Sequence, residues 1–342
     1  MRAVIYRGAR RVEVEQRPAG EPGPGEVRIA VAFTGICGTD LHIFHGDMDA
    51  RVGTAAVLGH EMSGRIDAIG PDVAGWSVGQ PVTVMPTLSC GHCPACRRGN
   101  THICHNLRFL GIDSPGAMQS LWNVPAGLVL ALPEQMPLEH AALVEPVAVA
   151  VHDVRRAGVS RGDHVVVVGG GPIGTLIAIV AQRERARVVL LEPDPFRRSV
   201  AAELGIEALD PTAVDMPAAI DERTAGAGAD IAFEVSGSQG GVATAVDVLA
   251  ARGRLVMVAI HPQPRPVNLH RVFWRELEVF GARLYQRPDV TAAIELVATG
   301  AVPAERLISR IEPVAAVDAA FAALESGGRV MKVLIDWREQ PR

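Results

Sequence analysis

The sequence lacks the features that direct a protein to nucleic acids or membranes. Its net charge is −5, and it has no basic cluster and no long run of like charges, so a nucleic-acid footprint is not indicated. In residues 1–11, arginines separate the apolar residues, which excludes the apolar core of a secretory signal and predicts a cytoplasmic protein. We therefore expect small-molecule partners, with no nucleic acid and no membrane.

Long apolar segments are also missing. The longest uncharged run, residues 165–182, is about as long as a membrane span, but three glycines and a proline interrupt its middle at residues 169–172. It is typical of a strand, a turn and a helix. With 342 residues, 48% hydrophobic and 21% charged, the chain can form two soluble globular domains, each with its own core.

Cysteine is scarce, and its distribution is uneven. The chain has five cysteines, and an odd number with most of them crowded together argues against a disulfide framework and for metal ligation in a reducing compartment. The crowded residues are Cys90, Cys93, Cys96 and Cys104. Four thiolates at these spacings can surround one tetrahedral zinc and leave no position for substrate, which predicts a structural site. The alternatives are free surface thiols, or His92, His102 or His105 in place of one cysteine.

Two patterns of secondary structure follow each other along the chain. Up to about residue 132, short alternating apolar runs, such as 27–33 and 81–85, predict strands of an antiparallel barrel or sandwich. A helical stretch follows over about 137–152. From residue 162 to about 259, strands alternate with helices, which predicts a parallel sheet of βαβ units. After about residue 288 we expect a helix, a short linker, a second helix over 314–325 and a strand over 330–336.

A glycine-rich turn lies inside the α/β region. Gly169-Gly-Gly171-Pro-Ile-Gly174 comes directly after a predicted strand, 164–168, and directly before a predicted helix. In a dinucleotide-binding loop the first glycine allows the tight turn, the second lets the pyrophosphate approach, and the third lets helix and strand pack closely. We expect Gly169, Gly171, Pro172, Ile173 and Gly174 to bind the cofactor at the helix N-terminus.

A carboxylate follows at the position that contacts the adenosine ribose. Glu192 stands at the end of the next predicted strand, 23 positions after Gly169, and it favours NAD because a carboxylate repels the 2′-phosphate of NADP. Arg197 and Arg198 are a contrary hint, since either side chain could reach a phosphate. NAD is the expected cofactor, with Arg197 beside it, and NADP is the less favoured alternative.

One stretch carries a thiol, a hydroxyl, a carboxylate and an imidazole within six residues. It is Gly35-Ile-Cys-Gly-Thr-Asp-Leu-His42, and a turn with a buried cysteine is its simplest interpretation. Candidate partners for Cys37 are His60, in Gly59-His-Glu61, and Glu145, a carboxylate in an apolar helix that needs a cation or a proton. Together with a nucleotide-binding fold, these residues suggest an open, three-ligand zinc site.

These motifs, in their order and spacing, resemble those of the zinc-dependent medium-chain dehydrogenases, in the branch of the polyol, 2,3-butanediol and threonine 3-dehydrogenases. The resemblance implies an α/β protein with a GroES-like, β-rich catalytic domain, residues 1–150 and 289–342, that carries a structural zinc lobe at about 88–106. It also implies an inserted Rossmann domain with a doubly wound parallel sheet, residues 151–288. The active-site cleft is expected between the two domains.

The resemblance also implies roles for single residues. Cys37, His60 and Glu145 match the catalytic zinc ligands, and Glu61 matches an alternating or water-bridged ligand. Two zincs per chain are expected. The relay residues and the residue that supports a ligand follow from the same match: Asp40 orients the liganding histidine, Thr39 contacts the substrate oxygen, and His42 ends the proton relay at the solvent.

The implied reaction is hydride transfer between NAD and a secondary alcohol. Zinc lowers the pKa of the substrate hydroxyl, and the proton leaves through Thr39 and the cofactor ribose toward His42. Met118 and Tyr285 are expected in the substrate pocket. Leu284 replaces the arginine that sorbitol-type enzymes carry before the tyrosine, which weakens a sugar-alcohol assignment, so we expect a small polyol or vicinal diol.

Three alternatives remain at this level. The first is an L-threonine 3-dehydrogenase-like enzyme. The second is a noncatalytic nucleotide-binding relative, which is expected to lose the catalytic ligands, and the third is a zinc-free quinone reductase, which is expected to lack Cys37 and the four-cysteine lobe. Relatives of this branch are commonly homotetramers or homodimers joined through the Rossmann sheet, and symmetric assembly is the default for soluble oligomers.

Overall fold

The computed structural model describes residues 1–327 and 329–338. Its strands, in chain order, are β1 Arg2–Tyr6, β2 Val12–Gln16, β3 Glu26–Gly35, β4 Ala56–Val57, β5 Glu61–Ile69, β6 Pro81–Val84, β7 Thr87–Leu88, β8 Arg108–Phe109, β9 Leu121–Pro125, β10 Val129–Ala131, β11 His164–Val168, β12 Arg187–Leu191, β13 Glu207–Leu209, β14 Ala229–Glu234, β15 Leu249–Met257, β16 Glu278–Gly281, β17 Ile308–Pro313 and β18 Lys332–Asp336.

Helices connect these strands. The α-helices are α1 Gly38–Phe44, α2 Asp49–Val52, α3 Pro94–Arg97, α4 Leu138–Ala141, α5 Val144–Ala157, α6 Pro172–Arg183, α7 Pro195–Glu203, α8 Met216–Arg223, α9 Gln239–Asp247, α10 Leu269–Trp274, α11 Arg287–Ala298, α12 Ala304–Leu307 and α13 Val317–Glu325. Short 3₁₀ helices span Thr101–Ile103, Ala126–Leu128 and Val314–Ala316. In the described part of the chain, no helix combines the length and the apolar character needed to cross a membrane.

The chain divides into two compact units. The first contains Met1–Glu145 and Gln286–Arg342, and the second contains Pro146–Tyr285. The boundaries expected from the sequence, after residues 150 and 288, fall a few residues further along the chain. Both ends of the described chain therefore belong to the first unit, and the second unit is an insertion.

The second unit is built on a parallel six-stranded sheet with the order β13-β12-β11-β14-β15-β16. Counted within the unit, this is the order 3-2-1-4-5-6 of a doubly wound Rossmann sheet, as predicted. All four valines of β11 are buried, as expected for a strand covered on both faces. The strand order reverses between β11 and β14, so their carboxyl ends form the crevice in which such folds bind nucleotides.

The first unit is centred on a seven-stranded sheet with the order β10-β6-β5-β3-β18-β17, in which β9 also pairs with β3. Strand β3 lies between β5 and β18, and both pair with it in the antiparallel sense. The register places Gly35 opposite Glu61 on one side and opposite Leu334 on the other. The last strand of the chain therefore lies beside the segment that leads into Cys37.

The structure refines one local prediction and contradicts another. The helical stretch expected over about 137–152 is helical but is divided into α4 and α5, because Pro146 lies in the first turn of α5, where its missing N–H needs no partner. The linker expected before the helix over 314–325 contains β17, which pairs with β18 in parallel. Strand β17 lies at the edge of the sheet and is mostly half-buried or exposed, so its apolar pattern is weak.

Candidate functional site

Cys37 lies at the start of a short helix. It precedes α1 in an extended conformation, and its backbone N–H donates to Oδ2 of Asp40 at 2.9 Å. Asp40 is fully buried, and burial raises its pKa, although the charges of His60 and Lys332 oppose that shift. The hydrogen bond at the start of the helix thus fixes the backbone orientation of Cys37 after the end of β3.

His60 comes from the turn before β5. Its Nδ1 lies 3.9 Å from Oδ1 of Asp40, beyond hydrogen-bonding distance, and within the described residues neither atom has a hydrogen-bond partner. The ring of Phe109 contacts the imidazole edge to face, with 5.1 Å between ring centroids. Burial lowers the pKa of His60, but the charges of Cys37, Asp40 and Glu145 outweigh it and raise that pKa well above its usual value.

Cys37, His60 and Glu61 place one ligand atom each within 4.8 Å of one another. A thiolate, an imidazole and a carboxylate form a donor set that suits zinc. The buried polar atoms of His60 and Asp40 that lack partners also suit a buried metal ion and the carboxylate–histidine contact that commonly supports it. These residues therefore fit a catalytic zinc.

A lysine contacts Glu61. The Nζ of Lys332, on β18, donates to Oε1 of Glu61 at 2.8 Å and to Oε2 at 2.7 Å, and both side chains are buried. Burial lowers the pKa of Lys332, but the charges of Glu61 and Cys37 outweigh it and raise that pKa. The pair is an ion pair inside the candidate metal centre.

Glu145 lies in the first turn of α5 and is buried. It is not one of the three residues whose ligand atoms lie within 4.8 Å of one another. Its charge nevertheless raises the pKa of both His60 and Lys332, so Glu145 belongs to the same electrostatic environment. Two buried carboxylates, Glu61 and Glu145, are thus candidates for the third ligand.

The two residues expected to move a proton lie on α1. Thr39 and His42 are three residues apart and share one face of the helix, and each is partly exposed. The Nδ1 of His42 lies 3.0 Å from Oδ2 of Asp47. Both residues of the expected relay therefore lie on the same face of α1.

The two residues expected in the substrate pocket are both fully buried. Met118 belongs to the core of the first unit and packs against Gly59, where an added Cβ would lie 2.7 Å from the Cγ of Met118. Gly59 has a φ of +91°, which a side chain disfavours. Met118 thus supports the turn that presents His60, while Tyr285 is the last residue of the second unit.

The four-cysteine lobe is assembled as predicted by its spacing. The Sγ atoms of Cys90, Cys93, Cys96 and Cys104 all lie within 4.8 Å of one another. Amide N–H groups of His92 and Cys93 lower the pKa of Cys90 to about 5, whereas burial raises the pKa of Cys96 to about 11. A closed set of four thiol ligands suits a structural zinc.

The glycine loop has the geometry that a dinucleotide requires. Gly169 has a φ of +109°, and a Cβ on Gly174 would collide with the carbonyl oxygen of Gly169. Gly171 precedes α6, and a Cβ built there meets only the side chain of Arg197, at 3.9 Å. Pro172 and Ile173 open the helix. The space over Gly171 and the free N–H groups of α6 fit a pyrophosphate.

Glu192 is held at this loop by the backbone. Its Oε2 accepts from the N–H of Gly170 at 2.7 Å, and its Oε1 accepts from the N–H of Asp194 at 2.9 Å. Arg198 donates to the carbonyl oxygen of Glu192 and pairs with Asp210, so its donors are engaged. Arg197 lies 3.8 Å from Glu192 and remains partly exposed. Of the two arginines, Arg197 is the one available to a ligand.

Two groups of residues beside the candidate sites were not predicted. Glu234 is buried at the end of β14, accepts hydrogen bonds from the N–H groups of Ser236 and Gly237, and contacts His261. The turn that follows lies beside Gly169, where an added Cβ would be 2.9 Å from the backbone nitrogen of Ser236. Lys332 is the other, and it is the only lysine in the sequence. A single charged residue inside an apolar strand is the signal that could have revealed it.

Comparison with known proteins identifies the family. Residues 23–134 match the model of the alcohol dehydrogenase GroES-like domain, and residues 172–299 match that of the zinc-binding dehydrogenases. The chain is 45% identical to a 2-dehydro-3-deoxy-L-galactonate 5-dehydrogenase from Pseudoalteromonas atlantica, over 98% of each chain. It is 33% identical to a sorbitol dehydrogenase from Halalkalibacterium halodurans, over 98% of this chain and 99% of the relative.

A solved structure agrees with these relatives. A zinc-binding dehydrogenase from Sinorhizobium meliloti, bound to NADP, superposes with a TM-score of 0.92 at 30% identity and covers 98% of both chains. The chain belongs to the zinc-type medium-chain alcohol dehydrogenase family, which confirms the resemblance seen in the sequence. It is thus a zinc-dependent oxidoreductase of the alcohol and polyol dehydrogenase type, with a GroES-like domain and a Rossmann domain.

Proposed function

We propose that this enzyme transfers a hydride between NAD and a secondary alcohol of a small polyhydroxy substrate. The observation that carries the proposal is the buried cluster of Cys37, His60 and Glu61, with Glu145 close enough to influence it. The four-cysteine lobe already supplies the four ligands that close a structural zinc site, whereas three protein ligands around one metal leave a position for substrate. Metal analysis tests it: we expect two zincs per chain, and a content near zero would contradict the proposal.

Each residue of the cluster has a proposed role. Cys37, His60 and Glu145 hold the catalytic zinc, Asp40 orients His60, and Glu61 lies beside the metal. Zinc, when bound, polarises the substrate oxygen and lowers the pKa of its hydroxyl. Thr39 Oγ1 would accept the hydroxyl proton and release its own toward His42. His42, whose Nδ1 lies 3.0 Å from Oδ2 of Asp47, would pass a proton to the solvent.

NAD is the proposed cofactor, and the buried carboxylate of Glu192 supports this choice. Its two backbone hydrogen bonds fix it at the glycine loop, where it can accept from a ribose 2′-hydroxyl but repels a 2′-phosphate. The related structure from Sinorhizobium meliloti is bound to NADP, so the preference for NAD over NADP calls for an experiment. We expect Glu192→Ala to weaken NAD binding roughly tenfold or more and to improve NADP, measured by cofactor titration. An unchanged NAD to NADP ratio would contradict the assignment.

A sugar acid is the proposed substrate class, with a neutral polyol or vicinal diol as the second candidate. The relative with 45% identity is named for oxidation at carbon 5 of a deoxy sugar acid, whereas the relative with 33% identity is named for sorbitol. An NAD-linked screen of aldonates against sorbitol, xylitol, 2,3-butanediol and threonine decides between them. We expect the highest kcat/KM on a sugar acid, and a preference for a neutral polyol would support the second candidate.

We also propose that the enzyme is a cytoplasmic homodimer or homotetramer. Strand β16 lies at the edge of its sheet. Helix α10, which precedes β16 in the chain, exposes three large apolar side chains, those of Leu269, Phe273 and Trp274. An uncovered edge strand and an apolar helix face usually become an interface. The free thiols of the lobe suit a reducing compartment. Light scattering after size-exclusion chromatography measures the oligomeric state, and a monomer would contradict the proposed dimer or tetramer.

A further inference from the structure

A buried carboxylate and a histidine form a pair at the end of strand β14. Glu234 is the last residue of β14 and its side chain is fully buried, whereas the side chain of His261, which follows β15, is 16% exposed. The Nε2 of His261 lies 3.0 Å from Oε2 of Glu234. Neither residue belongs to the metal cluster or to the glycine loop, so the proposed function leaves the pair without a role.

The other carboxylate oxygen of Glu234 holds the turn after β14. Its Oε1 accepts from the backbone N–H groups of Ser236 and Gly237, each at 3.0 Å, and from the hydroxyl of Ser236 at 2.6 Å. The backbone carbonyl oxygen of Glu234 accepts from the N–H groups of residues 258–259, at 3.0 and 3.1 Å, which ties the segment after β15 to β14. The carboxylate is therefore fixed in position, and its Oε2 faces His261.

This contact determines the tautomer of the histidine. An ionised carboxylate can only accept hydrogen bonds, so a neutral imidazole paired with Glu234 carries its hydrogen on Nε2 and a lone pair on Nδ1. The Nδ1 of His261 is buried, and it has no hydrogen-bond partner among the described residues. Because buried polar atoms in proteins are nearly always paired, we expect Nδ1 to accept from a donor outside the chain.

The Glu234–His261 pair lies in the second half of the Rossmann sheet. A doubly wound sheet binds a dinucleotide across its crevice, with one nucleotide on each half. Glu192 follows β12, in the half that takes the adenosine, whereas β14 and β15 belong to the other half. The turn after Glu234 lies beside Gly169, where an added Cβ would be 2.9 Å from the backbone nitrogen of Ser236. His261 is therefore on the side of the nicotinamide nucleotide, and Glu234 links it to the turn beside the glycine loop.

We propose that His261, oriented by Glu234, binds the cofactor by accepting a hydrogen bond at Nδ1 from a hydroxyl of the nicotinamide ribose. The inference rests on the proposed function, because it takes a nicotinamide dinucleotide as the cofactor. The ribose directly adjoins the pyrophosphate, which the loop at Gly169 fits, whereas the carboxamide of the nicotinamide lies one ring further away. The two halves of the cofactor are then each held by a buried glutamate, directly by Glu192 and through His261 by Glu234.

Shortened cofactors test which part of the dinucleotide His261 contacts. ADP-ribose contains the second ribose but no nicotinamide, and ADP contains neither. In His261→Gln, whose amide can still donate to Glu234, we expect the Kd of ADP-ribose to rise on the order of tenfold and the Kd of ADP to keep its wild-type value. Calorimetric titration of the zinc-loaded enzyme measures both. Unchanged binding of ADP-ribose, or an equal loss for ADP, would overturn the proposal.

His164→Gln is the matched control. His164 begins β11, at the end of the sheet opposite to the glycine loop, and its ring contacts Arg187. The change removes an imidazole from the same sheet, and we expect wild-type Kd values for ADP-ribose and ADP. A loss of ADP-ribose binding equal to that in His261→Gln would show a general effect on the sheet and would overturn the proposal.

Dinucleotide analogues identify the hydroxyl itself. Of two NADH analogues, one without the 2′-hydroxyl and one without the 3′-hydroxyl of the nicotinamide ribose, we expect one to lose affinity in the wild type and to lose less in His261→Gln. The difference between the two losses should be on the order of tenfold. Equal losses in both proteins for both analogues would overturn the proposal.

The tautomer of His261 tests Glu234 as a positioning residue. In nitrogen NMR of histidine-labelled protein at mildly alkaline pH, the ring signals of His261 are those missing from His261→Gln. We expect a hydrogen on Nε2 in the wild type and a shift of the Nδ1 signal when ADP-ribose binds. In Glu234→Gln the amide can donate to Nε2, so the hydrogen should move to Nδ1. A wild-type ring with its hydrogen on Nδ1, or an Nδ1 signal that ADP-ribose leaves unchanged, would overturn the proposal.

The outcomes separate this inference from the proposed function. Wild-type enzyme that binds neither ADP-ribose nor NADH would overturn the proposed function itself. Wild-type enzyme that binds both, with unaltered binding in His261→Gln, would overturn the role of His261 alone.

Discussion

The two candidate metal sites of this chain are built in opposite ways. The four-cysteine lobe takes all its ligands from residues 90–104, and its short turns bring the sulfur atoms together. The candidate catalytic cluster takes Cys37, His60 and Glu61 from the ends of two paired strands. Glu145 comes from a helix and Lys332 from the last strand. A local site depends on spacing, whereas an assembled site depends on the register of a whole sheet.

The largest expected effect separates the two sites by function. Cys37→Ser should lower kcat/KM by at least roughly two to three orders of magnitude, because the reacting oxygen loses its electrostatic stabilisation. The melting temperature should change little. Metal analysis should find one zinc, in the lobe. Full turnover in Cys37→Ser would contradict the catalytic role of this cluster.

The matched change in the lobe should act on stability instead. Cys96→Ser removes one of four closed ligands, and we expect a loss on the order of 3 kcal/mol or more, as is usual when a structural metal is lost. For a chain of this size that lowers the melting temperature by several degrees. Calorimetry measures the effect, and activity per folded molecule at low temperature serves as the control. A selective loss of kcat with unchanged melting would reverse the two assignments.

A smaller change tests the sheet register that builds the catalytic site. Gly35→Ala places a Cβ against the carboxylate of Glu61, which Lys332 holds in place, so we expect a loss of about 1–3 kcal/mol. Gly38→Ala is the control, because a Cβ there meets no atom within 4 Å. Denaturant unfolding compares the two. Equal stability of both variants would show that Glu61 moves freely.

The smallest effect concerns thiol reactivity in the lobe. In zinc-stripped protein at neutral pH, Cys90 should be alkylated first, because its pKa is lowered to about 5 and its thiolate predominates. Cys96 should react last, because burial raises its pKa to about 11. The reactivity of Cys90 should fall only as the pH drops through about 5. Peptide mapping after brief alkylation gives the order, and equal rates for both would contradict it.

The sequence predicted what short-range geometry controls. Four cysteines at fixed spacings, and glycines placed between a strand and a helix, constrain their own surroundings, so the lobe and the loop at Gly169 could be recognised from the order of residues alone. Cys37 and His60 were found as candidates because they stand in polar clusters beside apolar runs. Their assembly depended on the resemblance to a family rather than on the spacing.

Long-range pairing explains what the sequence could not show. Lys332 and Glu61 are 271 residues apart, and only the pairing of β3 with both β5 and β18 brings them together. Strand β17 was missed for a related reason, because its parallel partner follows it only after a helix. The support that Asp40 was expected to give His60 stays a prediction, since 3.9 Å separates the two atoms.

Because the chain has a single lysine, proteolysis can measure how often its last strand opens. A lysine-specific endoprotease has a single cleavage site in this chain, at Lys332, and the folded protein buries that residue within β18. Cleavage can then occur only when β18 leaves the sheet, so the rate at which the cut product forms in a mass spectrum measures the opening of that strand. One digestion thus follows the local unfolding of the strand that carries the lysine of the candidate catalytic cluster.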